Sequence, residues 1–168
     1  KQAAEVAKVK KLKLLAGAAI GPNSGFEDRV ESLIKTGVDV IVIDSAHGFT
    51  KATIDTLRFI KKNYPKIQVI AGNIATHDGA MALIKAGADA LRVGMGPGAI
   101  CTTRVISGMG VPQISALMEV SRAAKRTHTP IIADGGLSNS GDMVKALALG
   151  ASNVMMGETI RFGKKVGL

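Results

Sequence analysis

At 168 residues and 46% hydrophobic content, the chain is long enough to bury one core unaided, and its single cysteine excludes an internal disulfide. The net charge is +9, but four Phe, one Tyr and no Trp give nucleic-acid bases little to stack on, which argues against DNA or RNA as a partner. No apolar run approaches the roughly 18 residues of a membrane span, and no signal-peptide pattern is present, so a reducing cytoplasm is the expected compartment.

With so few aromatics, packing falls to Ala, Val, Ile, Leu and Met, and 20 glycines let helices sit close on a parallel sheet. Residues 1–13 predict the end of an amphipathic helix, with Val6 and Val9 on one side and lysines opposite. A short strand is predicted over 14–20, closed by Gly21-Pro22-Asn23-Ser24-Gly25. The helix over 26–36 places Phe26, Val30, Leu33 and Ile34 on one face and stops at Gly37 as a C′ residue. A β-branched run over 38–43, of the kind buried on both faces of a parallel sheet, ends in Asp44-Ser45-Ala46-His47-Gly48.

The pattern then repeats. A helix over 51–63 leads to a strand over 67–71 that ends Gly72-Asn73. A helix over 77–86, stopped by Gly87, leads to a strand over 90–93. A helix from Pro112 to about 127 leads to a strand over 131–133, ending Asp134-Gly135-Gly136. A helix over 140–149 closes at Gly150, and 153–156 is the last strand. The turns Thr36-Gly-Val-Asp39, Ala86-Gly-Ala-Asp89 and Leu149-Gly-Ala-Ser152 are one helix-to-strand device used three times.

Asp44, Asn73, the stretch 94–101, Asp134–Gly136 and Gly157 all follow the C-terminal ends of predicted strands. Active sites lie at that end of a (β/α)₈ barrel, and ligands also bind there in an open doubly wound sheet. Between Gly94 and Cys101 the chain places three glycines and a proline and then its only cysteine, followed by Thr-Thr-Arg. Glycine lets backbone approach a ligand closely, and a thiol held by such a turn suits a nucleophile. A lone cysteine is more often a small buried hydrophobe, but the polar tail is not core-like. Asp134 suits the two hydroxyls of a ribose, with the glycines facing a phosphate; a helix N-cap or turn carboxylate is the plainer reading. For Asp44 the plainer reading is a strand-end turn. His47, His77 and His128 are scattered, with no metal-ligand spacing, and read as surface or loop residues. No Gly-x-Gly-x-x-Gly opens a helix, so a Rossmann fingerprint is absent.

These segments, VIDSAHG (42–48), VIAGN (69–73), ADALRVG (88–94), GPGAICTTR (96–104), GVPQ (110–113), IADGG (132–136) and VMMG (154–157), resemble the catalytic barrel of the IMP dehydrogenase and GMP reductase superfamily across almost the whole chain. The resemblance implies a (β/α)₈ TIM barrel, of which about six βα units are present, as one incomplete catalytic domain over 1–168. It implies IMP and NAD as substrates, with GMP reductase or a non-catalytic nucleotide-binding barrel as alternatives.

On that resemblance Cys101 attacks the purine and Thr103 assists hydrolysis. Ala99, Asp134, Gly135, Gly136 and Gly157 bind the nucleotide. Asp44, Ser45, Asn73, Arg92, Gly94, Met95 and Gly96 line the NAD and purine side. Carbonyls of Gly96, Gly98 and Cys101 form half of a K⁺ site, and the family assembles as a homotetramer.

Departures from the family pattern are specific. Ala99 stands where the family has a phosphate-touching serine, which should cost on the order of 1–2 kcal/mol of nucleotide binding. After Gly157, the stretch 158–166 intervenes where the family has a second phosphate serine and a helix. The first two barrel strands, the mobile flap, the C-terminal tail and the tandem regulatory module have no counterpart here. A fragment of a longer barrel, with the missing strands supplied by another segment, is the expectation.

Overall fold

The computed structural model describes residues 1–156. They form one six-stranded sheet, every strand parallel to its neighbours. The strands are β1 (Gly17–Ile20), β2 (Val40–Asp44), β3 (Gln68–Ile74), β4 (Ala90–Val93), β5 (Ile131–Asp134) and β6 (Asn153–Met155). They pair strictly in sequence order. A doubly wound sheet would reverse its order at a switch point, so the arrangement is that of six successive units of a (β/α) barrel. β1 and β6 each have one neighbour among the described residues.

The helices are α1 (Gln2–Lys11), α2 (Phe26–Lys35), α3 (Lys51–Asn63), α4 (His77–Ala86), α5 (Thr103–Ser107), α6 (Gln113–Lys125) and α7 (Ser140–Ala148). Caps set several of their ends. Thr50, Thr76 and Asn139 each accept a backbone N–H of the first turn, from Thr53, Gly79 and Asp142. Gly37 takes φ +81° directly after α2, as its C′ role requires. No helix among the described residues is long and apolar enough to cross a membrane.

The core lies between sheet and helices. Ile41, Ile43, Val69, Ala71, Leu91, Val93, Ile131 and Ala133 are buried, as are Val30, Leu33, Leu57, Ile60, Leu83, Leu117 and Val120 on the helices. The alternate strand residues Val42, Ile70, Arg92 and Ile132 are only partly covered. This corrects the reading of 38–43 as buried on both faces: one face packs on helices, and the other lines the concave side. Strand spacing of two residues enforces that division.

The first strand also differs from expectation. Leu14 and Leu15 are exposed, and β1 begins only at Gly17. Lys13 takes a left-handed φ of +56°, and the Asp39 carboxylate receives the Ala16 N–H at 2.7 Å, which fixes where the ladder starts. The five-residue α5 inside the cysteine loop was not foreseen, because Thr-Thr-Arg-Val-Ile-Ser has little helix propensity.

Candidate active site

Three strand ends converge on one arginine. Arg92 is on β4, and its Nε donates to Asp134 Oδ2 on β5 while Nη1 donates to Asp44 Oδ1 on β2, both at 2.8 Å. The two ion pairs are unequal. Asp134 is 19% exposed and Asp44 55%, so water screens the second far more than the first. Asn73, on β3 between them, donates from Nδ2 to Asp134 Oδ2 at 2.8 Å and to the Gly94 carbonyl at 2.9 Å.

These contacts decide against the plainer readings of both aspartates. Asp134 caps no helix, since Asn139 is the N-cap of α7, and its Oδ1 has no partner among the described residues. Asp44 makes no turn bond; it reaches across the sheet. Ser45 is held to β3 instead, its N–H donating to the Gly72 carbonyl and its own carbonyl accepting from Asn73 N.

The cysteine loop leaves β4 at Gly94 and is pinned where Met95 and Val111 form an antiparallel bridge, with Val111 N donating to Met95 O at 3.1 Å. Inside it, Cys101 N donates to Gly98 O at 3.0 Å. Pro97 and Gly98 lie directly against the Gly135-Gly136 corner: a methyl on Gly135 would come 3.0 Å from Pro97 and 3.1 Å from Gly98, and one on Gly136 would come 3.1 Å from Pro97. The loop therefore docks on the aspartate–diglycine corner. Ala99 and Ile100 project outward, both exposed.

Cys101 is half-buried, not core. Its Sγ lies 3.2 Å from Thr103 Oγ1; as a thiol it donates to that hydroxyl, and as a thiolate it accepts from it. This hydrogen bonding, first from the hydroxyl and then from the Thr103 backbone, holds the thiol below its ordinary range. Arg104 pulls the same way, while desolvation and the Asp134 charge oppose it. A lowered, accessible thiol is the form of cysteine that attacks electrophiles.

Some features went unread in the sequence. Gln113 Nε2 donates to both Val93 O, at 2.9 Å, and Asp134 O, at 3.1 Å, tying the ends of β4 and β5 together. The only available signal was the Val-Pro-Gln at the start of α6. Among the described residues, buried polar atoms without partners are His47 Nδ1, Asn73 Oδ1 and Gln113 Oε1. His47 is thus less peripheral than its scattered position suggested. Gly157 and the stretch 158–166 lie outside the described residues.

A half-buried cysteine on a loop docked against an acidic, arginine-bridged strand mouth defines a (β/α)-barrel protein with a candidate site at the C-terminal ends of its strands. The sequence matches the family model described as the IMP dehydrogenase / GMP reductase domain over residues 1–162, and the chain belongs to that family. It is 55% identical over 148 residues to the inosine-5′-monophosphate dehydrogenase of Aquifex aeolicus, covering 88% of this chain and 30% of that protein. The enzyme of the same name from Rhodopirellula baltica is 56% identical over 146 residues, 86% of this chain and 27% of that protein. The Escherichia coli K12 enzyme is 49% identical over 148 residues, 88% of this chain and 30% of that protein. The chain thus spans about a third or less of these relatives.

Proposed function

We propose that the chain is a catalytic barrel domain, over 1–168, of an enzyme that oxidises IMP to XMP with NAD through a covalent intermediate on Cys101, in the cytoplasm and as a homotetramer. The observation that carries this reading is the Cys101–Thr103 pair, 3.2 Å apart, on a loop resting against Asp134-Gly-Gly.

The Cys101 thiolate adds to C2 of the hypoxanthine ring, and the hydrogen at C2 leaves with its electron pair as hydride. NAD, when bound, accepts that hydride. The thioimidate left on sulfur is then attacked by water, which releases XMP and returns the thiol. Thr103, hydrogen-bonded to the sulfur, is placed to relay a proton in the second half. Splitting oxidation from hydrolysis lets each half proceed with modest acid–base help.

Asp134 Oδ1 is the acceptor for the ribose hydroxyls, because Oδ2 is already held by Arg92 and Asn73. Gly135 and Gly136 face the phosphate, and Ala99 offers it no hydroxyl; Gly157, assigned to the phosphate by the resemblance, lies outside the described residues. On the dinucleotide side stand Asp44, Ser45, Asn73, Arg92, Gly94, Met95 and Gly96. The buried, unpartnered Asn73 Oδ1 leaves an acceptor for an amide or hydroxyl donor there.

The residues also fit a monovalent cation. Gly98 O accepts Cys101 N–H, whereas the carbonyls of Gly96 and Cys101 accept no hydrogen bond among the described residues. Backbone carbonyls are the donors a K⁺ ion takes, and such an ion would stiffen the loop that carries the thiol. The test is absorbance at the nicotinamide band. The account expects NADH to form from IMP and NAD, and not after Cys101→Ala. NADPH consumption with GMP instead would make the protein a GMP reductase.

A further inference from the structure

We infer that Arg104 is a positioning residue: its side chain fills a slot between Gly96 and Gly110 and ties the two legs of the cysteine loop together, fixing where Cys101 stands.

Two glycines on opposite legs face this one side chain. A methyl at Gly96 would come 2.7 Å from Arg104 Cγ and 3.0 Å from Nε; one at Gly110 would come 2.6 Å from Nε and 2.7 Å from Cγ. Gly96 takes φ +76° and would favour glycine in any case. Gly110 is not among the positive-φ glycines, so its backbone does not require one. The three atoms nearest the space its side chain would need all belong to Arg104.

The guanidinium completes the clamp. Arg104 Nη2 donates to Val111 O at 3.2 Å, and Val111 N in turn donates to Met95 O at 3.1 Å. Incoming leg, outgoing leg and α5 are thereby joined through a single arginine three residues from the sulfur. Lysine would carry the charge but not the planar fork.

The use of the clamp rests on Cys101 being the reacting group, but its test needs neither IMP nor NAD. Cys101 is the sole cysteine, so iodoacetamide labelling of the full chain at pH 7, followed by mass, reads one thiol. Arg104→Ala and Gly110→Ala should each change the labelling rate at pH 7 by about threefold or more. In the double variant, Gly110→Ala should add nothing to Arg104→Ala, because the methyl then has no stem to displace. Circular dichroism confirms that each variant is folded. If Gly110→Ala leaves the labelling rate unchanged, or changes it equally with and without Arg104, the clamp is wrong. Labelling that follows these expectations in a protein inert toward IMP would uphold the clamp and overturn the dehydrogenase reading alone.

Discussion

At the N-terminal ends of β2 and β4, Asp39 and Asp89 are each held twice over. Asp39 accepts Lys10 through both oxygens and the Ala16 N–H; Asp89 accepts Lys61 through both oxygens and the Val69 N–H. Their own N–H groups donate back to Ala16 O and Val69 O. At the C-terminal ends of β2 and β5, Asp44 and Asp134 instead share one arginine, and each keeps an oxygen without a partner among the described residues. The buried Asn73 Oδ1 and Gln113 Oε1 are unpartnered at the same end. One end has used its hydrogen-bonding capacity on the fold, and the other holds capacity in reserve. Buried polar groups left unsatisfied cost stability, and the free acceptors at this end are the ones the proposed nucleotide and dinucleotide would use.

Exchanging the ends by mutation tests that contrast. Asp134→Asn keeps the shape but removes the charge, and should weaken nucleotide binding by on the order of 10–100-fold with a smaller loss of stability. Titration calorimetry with IMP, beside a urea melt, separates the two effects. Asp89→Ala should do the reverse, losing about 1–3 kcal/mol of stability in the urea melt while Cys101 labelling is unchanged. A nucleotide-binding defect in Asp89→Ala would erase the division between the ends.

The smallest effect is a pH dependence. Lys10 and the Ala16 N–H hold the Asp39 carboxyl below its usual range. A depressed carboxylate contributes stability that is complete above its unfolded pKa of about 3.9 and is lost as pH falls through the lower folded value. The stability gap between wild type and Asp39→Asn should therefore be constant near neutrality and close progressively below about pH 4. A gap that persists unchanged into strong acid would contradict the assignment.

The architecture was legible because βα units announce themselves by period. The VDVIVI run, the capped helices and the three Gly-x-Asp or Gly-x-Ser turns are local patterns. In the structure all three turns donate the N–H of their last residue to the start of the neighbouring strand: Asp39 to Ala16, Asp89 to Val69 and Ser152 to Ile131. The cysteine loop was legible for the same reason.

What joins the site was not. Arg92 reaches Asp44 and Asp134 across 48 and 42 residues, and Gln113 reaches Asp134 across 21. Such contacts exist only once the sheet is assembled. The start of β1 was misplaced because Leu14-Leu15 looks like strand, and only the distant Asp39 decides otherwise.

The central claim is that the Cys101 sulfur bonds transiently to a purine nucleotide. Intact-mass measurement of the chain quenched during incubation with IMP and NAD tests it most directly. The account predicts a nucleotide-sized increment that peptide mapping places on Cys101 and that Cys101→Ala abolishes. Nucleotide binding by calorimetry with no increment at any quench time would contradict it, and would make this barrel a nucleotide-binding scaffold.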